Sequence, residues 1–364
     1  MTLPSLKIRA VRSTAVEVPM KHVLGTSRAA LRAAPLLLLD VETEEGITGH
    51  AYLFCYMRQA APAIATMVEA VEHLVKGSHI DPASTWQALE KRFTLIGVQG
   101  IVRMAMAGVD VACWDALAKA SRQPLVALLG AEPSAIPAYN SNGLGLMPLA
   151  ALAREADELL EGGFGGVKLR LGYPTLSEDL AAVRAVRGRL PKGVVLMVDY
   201  NQALSVDEAL ERGRALDGEG VYWIEEPIRH DDYAGAARLA ASLATPIQIG
   251  ENFSQSYALE EALRQEACDY VMPDLERIGG VTGWMKAARI AAARKVPLSS
   301  HLFPEVSSHL LAASQTRHWL EYVDWAAPLL REPARVEAGR VSPSSAPGVG
   351  LEWDPDAVER FRMK

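Results

Sequence analysis

The chain has few cysteines, little excess positive charge and no long apolar run. Among 364 residues there are only three cysteines, Cys55, Cys113 and Cys268, far apart and without a recurring spacing. That excludes a disulfide framework and a cysteine-rich zinc fold, and it points to reduced thiols in the cytosol. The longest run of branched aliphatic side chains, Leu36 to Leu39, falls far short of the ~20 apolar residues that span a bilayer. The first residues, MTLPSLKIRA, lack the apolar centre of a signal peptide. A cytoplasmic protein with no membrane partner is expected. Lysine and arginine total 37 against 44 aspartates and glutamates, a net charge of -7. That balance argues against nucleic acid as a partner.

What is present is a large apolar fraction, 49%, enough for an extensive core. The length suits two or three domains, or one α/β barrel with an attachment. Residues 5–19 alternate and end at Pro19. Residues 35–54 read as two strands joined by a turn at Glu44-Glu45-Gly46. Helical patterns follow at about 57–76, 84–95 and 99–121. The last of these is apolar on nearly every side, so burial is expected. From about residue 136 short apolar runs alternate with amphipathic stretches: IPAYNS, GVKLRL, VVLMVDY, VYWIEEP, PIQIGEN, DYVMPD, VPLSSH and HWLEY. Eight such β-then-α units imply a parallel (β/α)₈ barrel of the TIM type, whose active site lies at the C-terminal ends of its strands. The expected organisation is an α+β capping domain over 1–130, a barrel over 131–321 and a tail over 322–364 that returns to the cap.

The residues at the strand ends are chemically selective. Asp199, Glu225 and Glu251 end three consecutive runs and are separated by 26 residues each, about one βα unit. Three converging carboxylates require a cation. An all-oxygen set without Cys or His favours a hard ion, Mg²⁺, with Mn²⁺ able to substitute. Asp274 and His301 end the sixth and seventh runs. A carboxylate that accepts from one ring nitrogen raises the basicity of the other, which makes a general base. Lys168 and Arg170 lie two apart on the second run and share a face; an anion between them is expected. Glu321 ends the eighth run. RIGGVTGW (277–284) is glycine-rich but lacks the Lys-Ser/Thr of a phosphate loop. A Schiff-base aldolase built on Lys168 would leave the three carboxylates without a purpose.

The motifs VDYNQ, WIEEP, GEN, PDLERIGG, SSHLF and HWLE, with AGVDVACWDALAKA in the cap, together resemble the mandelate racemase subgroup of the enolase superfamily. The resemblance runs over nearly the whole chain. It implies Mg²⁺-assisted removal of the α-proton of a 2-hydroxy or sugar acid through an ene-diolate, and a homo-oligomer. Carried over, Asp199, Glu225 and Glu251 match the metal ligands, and Lys168 matches the lysine beside the substrate carboxylate. Asp274 and His301 match the dyad. Glu321 matches a protonated acid at the developing enolate oxygen. Ser141 and Asn201 match polar residues near the substrate.

One position departs from the pattern. Where such sequences usually carry a second lysine, the base on the face opposite the histidine, this chain has Arg170. A guanidinium practically cannot shed its proton. The expected activity is a racemase or epimerase of a 2-hydroxy acid. The rival is an acid-sugar dehydratase that uses His301 as its single base. Leu24, Leu31, Phe54, Tyr56 and Leu302 are expected to wall an apolar pocket, with Arg28 adding a polar contact.

Overall fold

The computed structural model describes residues 4–364. It opens with a three-stranded antiparallel sheet, β1 (Ile8–Gly25), β2 (Ala30–Thr43) and β3 (Thr48–Phe54), in sequence order. Helices α1 (Ala60–Val75), α2 (Pro82–Phe93) and α3 (Ile101–Ala120) follow, then a single turn, α4 (Leu125–Leu128). Helix α3 is buried along almost its whole length, as its apolar circumference requires. It lies between the cap sheet and the remainder of the chain and touches β3, α1 and the later helices α10 (Leu275–Ile278) and α11 (Gly280–Arg294).

Strands and helices then alternate: β4 (Ile136–Asn140), α5 (Leu149–Leu159), β5 (Gly166–Arg170), α6 (Leu176–Arg187), β6 (Val195–Asp199), α7 (Val206–Leu216), β7 (Val221–Glu225), α8 (Tyr233–Ser242), β8 (Ile247–Ile249), α9 (Ser256–Arg264) and β9 (Tyr270–Val271). Thr175 and Ser205 start α6 and α7 with capping boxes to Glu178 and Glu208, which fixes where two strand-to-helix turns end. Strands β4 to β9 pair in parallel, each with the next. The seventh run is held only by single bridges, Val271 with Leu298, Asp274 with His301, and Leu298 with Arg317. Helix α12 (Pro304–Ala312) leads to β10 (Leu320–Tyr322), which pairs in parallel with β4. This is the (β/α) barrel with an α+β cap.

The tail splits its attachments. A hairpin, β11 (Val336–Glu337) and β12 (Arg340–Val341), pairs antiparallel with the start of β4, so part of the tail joins the barrel instead of the cap. Two-residue strands carry no readable alternation, which is why the sequence did not disclose them. Beyond it the chain makes two contacts with the first sheet. The Trp353 indole donates to Asp40 Oδ1 at 2.9 Å, and α13 (Pro355–Phe361) leads to a bridge between Arg362 and Val16. Among the described residues no helix is long and apolar enough to cross a membrane.

The cap sheet meets α3 at Gly49 with no room for a side chain. A Cβ there would stand 1.9 Å from the Ala112 carbonyl oxygen and 2.8 Å from the Ala116 nitrogen. Gly49→Ala should therefore push β3 from α3 and cost about 1–3 kcal/mol, the usual range for overpacking, read as a lower denaturation midpoint at unchanged slope. An unchanged midpoint would show that the sheet and helix are not locked at this point.

Candidate active site

Asp199 and Glu225 are the last residues of β6 and β7 and are paired in register. Glu251 stands just past β8. One oxygen of each lies within 4.8 Å of the others. The Lys168 ammonium sits against the same group, 2.6 Å from Glu225 Oε1, 2.7 Å from Glu321 Oε1 and 3.4 Å from Asp199 Oδ2. Burial alone would discharge Lys168, but Glu225, Glu321 and Asp199 outweigh it and hold the ammonium charged. Burial, with Asp199 and Glu321 alongside, pushes Glu225 up to about 8 in spite of Lys168. Buried carboxylates this close make a compact, hard, all-oxygen donor set that fits Mg²⁺. Among the described residues no other group of side chains is placed to hold a metal ion.

Asp274 caps α10. Its Oδ1 accepts the backbone N–H groups of Glu276 and Arg277 at 2.8 and 2.9 Å, which leaves Oδ2 for His301 Nδ1 at 2.7 Å. The ring is thereby oriented with Nε2 3.3 Å from Glu251 Oε2. Burial opposes protonation of His301, but Glu251, Glu321 and Asp274 raise it to about 9. Asp274 and His301 are thus in direct contact.

Ser141 Oγ donates to Glu321 Oε1 at 2.6 Å and the Leu302 N–H to its Oε2 at 2.9 Å. Burial would favour the acid form, yet Lys168 and His301 hold the carboxyl well below the usual carboxylate range. These surroundings favour the carboxylate form of Glu321. Arg170 Nη1 donates to the carbonyl oxygens of Ser141 and Gly143 at 2.7 and 2.8 Å, and its Nη2 to Ser141 Oγ at 2.9 Å. The Glu321 carboxylate and the Ser141 hydroxyl lie between Lys168 and Arg170. Ser141 and Glu321 link them, so the Ser141 hydroxyl is committed and does not line the cavity.

That cavity measures about 370 Å³ and opens between cap and barrel. Leu24, Leu31, Phe54, Tyr56 and Leu302 all line it, with Met57 and Trp325 in addition. Lys168, Arg170, Asp199, Asn201, Glu251, His301 and Glu321 form its polar side. Arg28 stands at the wall, but its guanidinium donates to the carbonyl oxygens of Asn201 and Gln202. Asn201 adopts a left-handed φ of 47° and gives its N–H and side-chain amide to Asp199, at 2.7 and 3.0 Å. A larger cleft, about 490 Å³, lies beside the tail between Glu305, Arg335 and Arg340 and carries no such donor set.

Arg277 and Glu226 were not singled out from the sequence. Arg277 donates to the Glu251 carbonyl oxygen and to Asn252 Oδ1, at 3.2 and 2.7 Å, and lies over the Tyr56 ring at 4.6 Å. Its place three residues after Asp274, in the same turn, was the available signal. Glu226 is buried and accepts from Asn252 at 2.8 Å. It directly follows Glu225, and a strand's alternation gave no reason for both to face inward; its positive φ of 35° supplies the twist.

Residues 8–130 match the mandelate racemase / muconate lactonizing enzyme N-terminal domain, and residues 151–357 match the enolase C-terminal domain-like family. The chain belongs to the mandelate racemase subgroup of the enolase superfamily. It is therefore an enzyme of that superfamily. Its relatives include an enolase from the alphaproteobacterium bal199 with bound Mg, 40% identical with a TM-score of 0.96 over 98% of this chain and all of that one. An enolase from Bradyrhizobium complexed with magnesium and mandelic acid is 37% identical, with a TM-score of 0.95 over the full length of both. The L-talarate/galactarate dehydratase of Salmonella typhimurium is 31% identical over 344 residues, 94% of this chain and 86% of that protein.

Asp199→Asn and Glu251→Gln are each expected to weaken Mg²⁺ binding by more than the roughly 10–100-fold lost when only a ligand's supporting hydrogen bond is removed, with the far-UV circular dichroism unchanged. Calorimetric titration checks this; undiminished binding in both variants would remove the triad from the metal site.

Proposed function

We propose that this superfamily member is a single-base dehydratase of a monocarboxylic 2,3-dihydroxy acid. The observation that carries the reading is the state of Arg170. It stands where a second base would be needed, cannot release a proton, and is bound by three hydrogen bonds to Ser141 and Gly143. The base available to the cavity is then His301, oriented by Asp274.

The triad would hold Mg²⁺, which supplies positive charge beside the substrate carboxylate. Lys168 adds a fixed ammonium at the same place. His301 Nε2, in its neutral form, takes the proton from C2; Glu251 and Glu321, whose charges raise its pKa, are close enough to the triad for a bound cation to offset them. The imidazolium then gives that proton to the hydroxyl leaving C3. The C2–H and C3–O bonds break, a C2–C3 double bond forms, water departs, and the enol tautomerises to a 2-keto acid. One base serves both transfers.

The cavity supports a monoacid. Lys168 pairs with the carboxylates, and Arg170 and Arg28 each donate to backbone carbonyl oxygens, which lessens what they offer a second carboxylate. The far wall of Leu24, Leu31, Phe54 and Trp325 suits an apolar distal group. That wall also favours a second reading, racemisation of an aryl 2-hydroxy acid, which the mandelic acid held by the Bradyrhizobium relative supports. Racemisation needs a base on each face.

The two readings part in D₂O with Mg²⁺. Each configuration of 2-hydroxy and 2,3-dihydroxy monoacids is incubated separately and followed by NMR for α-deuterium and for 2-keto acid. The native enzyme is expected to act on one C2 configuration only and to form keto acid, and His301→Asn to lose at least about 10²–10⁴-fold of both signals. Deuterium entering both configurations at similar rates, without keto acid, would establish the racemase instead.

A second expectation concerns Arg170→Lys. A lysine there, crowded by Lys168 and a metal, can have a depressed pKa, so exchange should begin on the second configuration. If the variant keeps the one-sided exchange of the native enzyme, residue 170 does not face the second side of the substrate.

A further inference from the structure

The two oxygens of Glu225 have different partners. Oε1 faces Lys168 at 2.6 Å, on the side of Asp199. Oε2 receives the Trp223 indole N–H at 3.1 Å and the Gln248 side-chain amide at 3.2 Å. Strand geometry puts both donors there. Trp223 lies two residues before Glu225 on β7 and so points the same way, and Gln248 is the registered partner of Glu225 on β8. Both side chains are fully buried. Trp223 is wedged edge-on against Tyr139 with Tyr222 and Tyr270 around it, and the Gln248 amide also lies 3.2 Å from Met272 Sδ. Neither donor can follow the carboxylate if it turns.

We propose that Trp223 and Gln248 are positioning residues that hold Glu225 Oε2 away from the cation, so that Glu225 offers Oε1 alone, and that this restriction makes the site select Mg²⁺ over Ca²⁺. The inference rests on the triad being the metal site. Mg²⁺ takes six oxygens at about 2.0–2.1 Å and keeps several waters, whereas Ca²⁺ takes 6–8 at about 2.3–2.6 Å and readily accepts both oxygens of one carboxylate. For Glu225 to turn and offer both, the indole N–H and the amide would lose their acceptor in a dry interior, where an unpaired donor is costly. A one-oxygen Glu225 satisfies the smaller ion and leaves the larger one short of ligands.

The test is calorimetric titration of the metal-free full chain with MgCl₂ and with CaCl₂. The native protein should bind Mg²⁺ more tightly than Ca²⁺. Gln248→Leu keeps the volume and removes the donor; Trp223→Phe removes the other. Each should weaken Mg²⁺ about tenfold or more while Ca²⁺ binding holds or improves, so that the ratio of the two Kd values narrows by about the same factor. Equal weakening for both ions, or no change for either, overturns the inference. So does a native protein that binds Ca²⁺ as tightly as Mg²⁺, a result that needs no variant to fold. A native protein that binds neither ion overturns the triad reading itself, and this inference with it.

Discussion

Negative charge packed into the mouth of the barrel is the constraint on which the rest of the structure depends. Asp199, Glu225, Glu226, Asp274, Glu276 and Glu321 are all buried, and Glu251 joins them at the rim of the cavity. Bare carboxylates at such density would repel and unfold the mouth. Every element facing them contributes something positive or a donated hydrogen: Lys168 from β5, His301 from the seventh run, Arg277 from α10, and the α10 N-terminus itself, whose backbone N–H groups hold Asp274. The cap is drawn in as well. The backbone N–H of Phe54 donates to Glu276 and the Tyr52 hydroxyl to Glu305, at 3.0 and 2.7 Å. The chemistry and the join between the domains therefore draw on one electrostatic account.

This explains what could be read in the sequence. The 26-residue spacing of Asp199, Glu225 and Glu251 was legible because one βα unit has a nearly constant length, and the strand ends could be aligned without coordinates. The Asp274–His301 pair was legible for the same reason. What stayed hidden depends on which atom meets which. The Lys168 ammonium lies 2.7 Å from Glu321, and no spacing rule states that distance. Ser141 was expected near the substrate only through the family resemblance, and no resemblance states that Arg170 and Glu321 both bond its hydroxyl. Arg28 looked free in a loop; its partners at Asn201 and Gln202 lie more than 170 residues away, in a turn whose left-handed backbone leaves the carbonyl groups pointing toward the cap.

The fold followed the same division. Long elements with strong periodicity, such as α3 and the β2–β3 hairpin, were readable. The seventh run, VPLSSH, was readable, although single bridges alone hold it; the β11–β12 hairpin was not. Pro297 withholds an N–H from the ladder, and the hairpin's strands are two residues long; both survive because stronger neighbours already define the edge on which they lie.

The return of the tail to the cap bears on the order in which the chain can assemble. Val16 bridges Arg362 and Asp40 holds Trp353, so the sheet that precedes the barrel is completed by residues that follow the barrel. While the chain is being synthesised, β1 waits with part of its edge uncovered, and an uncovered strand edge is a template for pairing with other chains. The barrel residues all emerge before that edge can be closed. The cap sheet thus precedes the barrel in sequence yet is finished after it, and a chain made only as far as the barrel would carry a cap sheet whose edge is still open.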